Sequence, residues 1–129
     1  MLDHISTLEQ LESEALTIQD FLSITCSEEM AEVVQRGNDL VVYIARTGKM
    51  LADCGWHRDK ATSESIIAKL NVNLSAMILK RLIETECKRE NYIYLWVERL
   101  NRASTHQYEW CRSLLSKAKA EMQYQNMNG

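Results

Sequence analysis

The chain has 129 residues, no Pro, four Gly and a single Phe, and its formal net charge is −3. That length suits one domain over residues 1–129, with 46% apolar residues to fill a core. The composition excludes a mainly β fold, which needs β-branched and aromatic runs cut by Gly or Pro turns, and the negative charge argues against whole-surface binding to nucleic acid.

Strong helix formers dominate, so the predicted fold class is all-α: a helical bundle with two long antiparallel helices plus shorter ones, self-associating as an oligomer. The first ten residues carry Asp3 and Glu9 in an amphipathic pattern, unlike a signal or transit peptide, and the longest apolar run, residues 40–45, is too short to span a bilayer. A cytoplasmic location with no membrane contact is the expectation. Cys26, Cys54, Cys87 and Cys111 stand at wide, irregular spacing, the pattern of reduced thiols rather than of a disulfide framework.

In chain order, residues 3–24 place Ile5, Leu8, Leu11, Ala15, Ile18 and Leu22 at helical spacing, with any interruption falling near Thr17. Ser27 is the expected N-cap of a second helix, with Glu28 and Glu29 at the positive end of its dipole. No strong stop follows before residues 71–73, giving a helix on the order of 60 Å long. Along it Met30, Val34, Gly37, Val41, Ile44, Gly48, Leu51, Gly55, Arg58 and Thr62 step by four and three, the spacing of a coiled-coil seam. Gly in a helix costs about 1 kcal/mol relative to Ala. Its recurrence on one stripe therefore implies close helix packing, a break at Gly48, or room for a ligand against bare backbone.

A short helix follows the turn at residues 71–75, capped by Asn73 or Ser75, with Met77, Ile78, Leu82 and Ile83 expected to face inward. Residues 85–91 read either as a bend or as the exposed start of a last helix reaching about residue 124, with residues 125–129 polar and frayed. That last helix carries a core stripe of Ile93, Val97, Leu100, Ser104, Cys111, Leu114, Ala118 and Met122. Beside it runs an aromatic and polar stripe of Tyr92, Trp96, Arg99, Ala103, His106, Trp110, Ser113 and Lys117.

Antiparallel packing of the two long helices would bring residues 53–58 opposite residues 99–106. The candidate ligand-binding layer is then Arg46, Asp53, Trp56, His57 and Arg58 on one helix with Arg102, Thr105, His106 and Trp110 on the other. Convergent Arg and His hold phosphate or carboxylate by charge-assisted hydrogen bonds, and Trp faces stack on a base, so this layer would suit a nucleotide-like anion. The competing reading is a buried polar network that fixes helix register.

No catalytic residue, cofactor or metal is assigned. Cys54 with His57, and His106 with Glu109, have metal-ligand spacing, but the Glu-x-x-His pairs of di-iron bundles are missing from both long helices. There is no Gly-x-Ser-x-Gly elbow and no Gly-rich phosphate loop. Lys80, Arg81, Lys88, Arg89, Arg99 and Arg102 form the one extended basic region, which with Tyr92, Tyr94 and Trp96 could follow a single nucleic-acid strand. Glu84, Glu86, Glu90 and Glu98 dilute it into a salt-bridged face.

Two stretches carry a resemblance: Ala45-Arg46-Thr47-Gly48-Lys49-Met50-Leu51-Ala52-Asp53, and Arg99-Leu100-Asn101-Arg102 leading through Thr105-His106-Gln107 into Trp110-Cys111-Arg112-Ser113-Leu114-Leu115-Ser116-Lys117. Over about two thirds of the chain it is similar to small helical proteins of unassigned function encoded by bacteriophages and prophages of gut bacteria. The resemblance implies a non-enzymatic accessory role in a bacterial host. Such a protein would bind a small anionic or nucleotide-like ligand or a host protein, with countering host defence as one such role; a single-strand nucleic-acid accessory and a purely structural oligomerisation protein are the alternatives.

Overall fold

In a computed structural model that describes residues 4–128, the chain forms four helices: α1 (Leu8–Ser23), α2 (Met30–Ala68), α3 (Ala76–Glu86) and α4 (Lys88–Asn128). No strand occurs among the described residues, and no helix among them is long and apolar enough to cross a membrane.

Thr7 opens α1 with a capping box: its hydroxyl accepts the Gln10 N–H, and the Gln10 side chain accepts the Thr7 N–H. The helix therefore starts later than expected, and the predicted start at residue 3 lies outside the described residues. It passes unbroken through Thr17, whose hydroxyl donates back to the Ser13 carbonyl. Leu11, Ala15, Ile18 and Leu22 are buried, as their spacing predicts.

Ser27 is not the N-cap of α2. That place falls to Glu29, which makes no side-chain cap bond, while the Ser27 hydroxyl accepts the Glu29 N–H and donates to the Glu32 carboxylate. From Met30 the helix continues through Gly48 and Gly55 without a break and ends at Ala68.

The period of the predicted seam is right but its phase is wrong. The buried positions are Val33, Arg36, Gly37, Leu40, Thr47, Met50, Asp53 and Cys54, with Ser65 near the end, while Val34 and Val41 are 46% and 49% exposed. Close packing does not explain the glycines either. A Cβ at Gly48 would have nothing within 4 Å, and at Gly37 and Gly55 it would meet Cys111 Cβ and Tyr94 Cε2 at an ordinary 3.8 Å. Gly48→Ala is accordingly expected to raise stability by about 1 kcal/mol through helix propensity and a less flexible unfolded chain. Denaturant unfolding reads this directly, and a loss of stability would show that the backbone there requires Gly.

The two long helices pack antiparallel, as expected. Gly37 lies against Cys111, Asn101 bonds to Thr47, Arg58 stacks on Tyr94, and Thr62 meets Cys87. Leu40, Met50 and Cys54 meet Ile93, Val97, Leu100 and Cys111 in one core that the apolar stripe of α1 completes. At its centre the Asn101 amide donates to Thr47 Oγ1 at 2.9 Å and to the Ile44 carbonyl at 3.3 Å. The Thr47 hydroxyl, fully buried, donates in turn to the Tyr43 carbonyl at 2.7 Å. Sliding α4 by a turn would orphan these buried groups, so they pin the register.

Ser75 caps α3, accepting the Ile78 N–H. A single buried residue, Cys87, with φ −99° and ψ 18°, separates α3 from α4, which resolves the ambiguity over residues 85–91 into a one-residue interruption between two helices. In α4 the core stripe holds through Cys111, with Leu114 and Ala118 half-buried, but Met122 is 64% exposed. Residues 125–128, expected to fray, are helical. From residue 119 on, every described side chain is exposed, so about 15 Å of α4 stands clear of the core.

Candidate functional site

The residues predicted to form one polar layer divide into two groups. On α2, burial opposes ionisation of the Asp53 carboxyl, but the Lys49 ammonium and the Ser6 N–H outweigh it and hold Asp53 below the ordinary carboxylate range. Lys49 also donates to the His4 carbonyl at 3.0 Å, and His57 Nε2 donates to the Ser6 carbonyl at 2.7 Å. This cluster therefore fastens residues 4–6 across α2. Trp56 meets the His57 ring edge-on at 5.0 Å, and Lys60 lies over its face.

The remaining α2 candidates also have partners within the chain. Arg46 makes a close pair with Glu14 of α1, whose carboxylate raises the guanidinium's affinity for its proton, and Arg58 lies 3.9 Å above the Tyr94 ring. On α4, Arg102 pairs with Glu98 one turn back, and the Thr105 hydroxyl donates to the Asn101 carbonyl. His106 is largely exposed, 4.0 Å from Glu109, and Trp110 is 40% exposed.

The two groups do not converge because the register differs from the expected one. Gly55 and Arg58 face Tyr94, while Asn101 faces Thr47, so residues 53–58 are not set opposite residues 99–106. The Cys54–His57 pair offers no ready thiolate, since burial and the neighbouring Asp53 push the thiol up to about 11 and His57 is held by Ser6. Within the basic region, Arg89 bridges Glu9 and Glu12 of α1 and Arg102 pairs with Glu98, while Lys69, outside it, pairs with Glu86. Those charges are already answered.

The feature that stands out is apolar. Met77, Ile78 and Leu82, all expected to face inward, are 78%, 52% and 40% exposed, and no residue of α3 is fully buried. Of the residues expected to face inward only Ile83 is half-buried, and Leu79 joins it on that face. Ile66, Ile67, Leu70, Val72 and Leu74 extend the exposed surface through the end of α2 and the turn. The sequence held this signal: nine large apolar residues crowd into residues 66–82, on more sides of the chain than one helix face can bury.

Comparison with protein-family models, with curated proteins and with solved structures finds no match to this chain.

Proposed function

We propose that this chain is a non-enzymatic helical-bundle protein that works by association, and that the surface formed by α3 and the end of α2 is where a second copy docks. The reading rests on α3, an 11-residue helix with no fully buried residue and its most apolar side chains in solvent. A helix this short is marginal without tertiary packing. At ordinary residue areas the eight exposed side chains offer on the order of 800 Å², the share that one partner contributes to a standard interface. The apolar side chains can meet their own copies across a two-fold axis, and the exposed Lys80, Arg81 and Glu84 of α3 supply charges of both signs that such an axis can set opposite one another, which favours self-association over an unrelated partner.

We read this association as an accessory role within a bacterial host, which is what a resemblance to phage-encoded helical proteins would imply, with a host protein as the alternative occupant. The ion pairs of Arg89 and Arg102 weigh against the single-strand reading, since a strand would have to displace Glu9, Glu12 and Glu98.

Size-exclusion chromatography with light scattering provides the test. Wild-type protein is expected to reach twice the chain mass at high micromolar concentration, and the double variant Met77→Asp, Ile78→Asp to remain monomeric with an unchanged helical circular dichroism spectrum. A wild type that stays monomeric throughout that range rules out the second copy.

A further inference from the structure

At the opposite end of α2, about 45 Å along the helix from the apolar surface, Arg36 is buried without a counter-charge. Only 8% of the residue is exposed. Its Nη2 donates to Gln107 Oε1 at 2.7 Å and to the Leu22 carbonyl at 3.5 Å, and the guanidinium lies 4.2 Å over the Phe21 ring. Nε is enclosed with no acceptor. Among the described residues no carboxylate pairs with it; the nearby Glu32 is engaged by the Ser27 hydroxyl, and Asp39 by Gln35.

Neutral acceptors, a ring face and the carbonyl end of α1 solvate this cation without cancelling it. The last turn of α1 has no basic residue of its own, so Arg36 also serves as the cation there, but a helix terminus carries only about half a unit of negative charge. An arginine this deep ordinarily has a full anionic partner, because desolvating a lone charge costs several kcal/mol. The surroundings indicate where that partner enters. Arg36 and Gln107 line a cleft of about 290 Å³ with Leu22, Ser23, Cys26 and Trp110. Gln107 is fixed at its wall, donating through Nε2 to the Leu22 carbonyl at 3.1 Å while accepting from Arg36. Trp110 presents a partly exposed indole at the same opening.

We infer that this cleft binds a small molecule with a phosphate or carboxylate head and a planar ring, the anion paired with Arg36 and the ring against Trp110. The volume lies at the lower end of ligand pockets, which limits the occupant to roughly one ring and its anionic group. Of the residues picked from sequence for an anionic ligand, Trp110 alone belongs to this cleft. The guanidinium comes from Arg36, whose place among Val33, Gly37 and Leu40 on the buried face of α2 disguised it.

Isothermal titration at fixed ionic strength with phenyl phosphate, benzoate and inorganic phosphate tests the cleft. Wild-type protein is expected to bind phenyl phosphate or benzoate saturably, and the stronger of the two identifies the head group. Arg36→Met is expected to weaken that binding about tenfold or more, the loss of a charge-assisted hydrogen bond. Trp110→Ala should weaken both ring-bearing probes several-fold while leaving inorganic phosphate unaffected, and Lys119→Met, remote from the cleft, should change nothing. Absence of saturable binding to all three probes overturns the inference, as does wild-type affinity in Arg36→Met. Should that variant fail to fold, Trp110→Ala decides, and unchanged affinity for the ring-bearing probes counts against the cleft.

Discussion

Leu40→Ala is expected to lower stability by about 3 kcal/mol, whereas Val41→Ala, one residue on, should cost less than about 1 kcal/mol. Leu40 is fully buried in the core between α2 and α4, so truncation removes the contacts of an isobutyl group and leaves a cavity that rigid helices cannot close. Val41 is half exposed and loses little apolar burial. The pair separates the observed phase of α2 from the neighbouring phase that its seam spacing predicted. Equal costs in urea unfolding would mean that the helix sits rotated from the position described.

Asp53→Ala is expected to cost about 2 kcal/mol and to loosen residues 4–6, which keep only the Lys49 bond to the His4 carbonyl and the His57 bond to the Ser6 carbonyl. The change removes a charge-assisted bond from Lys49 and the acceptor of the Ser6 N–H. The pH dependence follows from the direction of the shift. The carboxyl is held below its ordinary value, so its contribution is fully present above the ordinary carboxylate range and is lost as pH falls through the lowered folded value. Unfolding free energies of wild type and Asp53→Ala should therefore lie furthest apart near neutrality and converge in acid. Amide exchange at Ser6 should quicken in the variant at neutral pH, and a constant gap between the two proteins down to strong acid would contradict the assignment.

The outline of the fold was legible because period and composition carry it. Two long helices packed antiparallel, the α1 stripe of Leu11, Ala15, Ile18 and Leu22, and the α4 stripe from Ile93 to Cys111 all follow from apolar residues recurring every three or four positions. The phase of α2 was not legible. Val33 and Val34 adjoin, as do Leu40, Val41 and Val42, so neighbouring stripes score alike and only packing against α1 and α4 chooses between them. Register was hidden for a related reason, since the groups that set it, Thr47 and Asn101, are ordinary polar residues until they face each other.

The candidate site fared worse. His57, Asp53 and Arg46 attract attention as chemistry, yet their partners Ser6, Lys49 and Glu14 carry no motif, and it is those partners that turn them to structural use. Arg36 was obscured in the opposite sense. Charged residues are presumed to face water, and only coordinates reveal one that does not.

The last ten described residues of α4 raise a different point. They are fewer than an isolated helix needs to hold together in water, so their order is inherited: the packed part supplies the nucleus, and each further residue adds one hydrogen bond at nearly balanced free energy. The projecting rod consequently has no fixed length. Warming shortens it from the tip while the core remains intact, so the helical signal declines gradually before the cooperative transition begins.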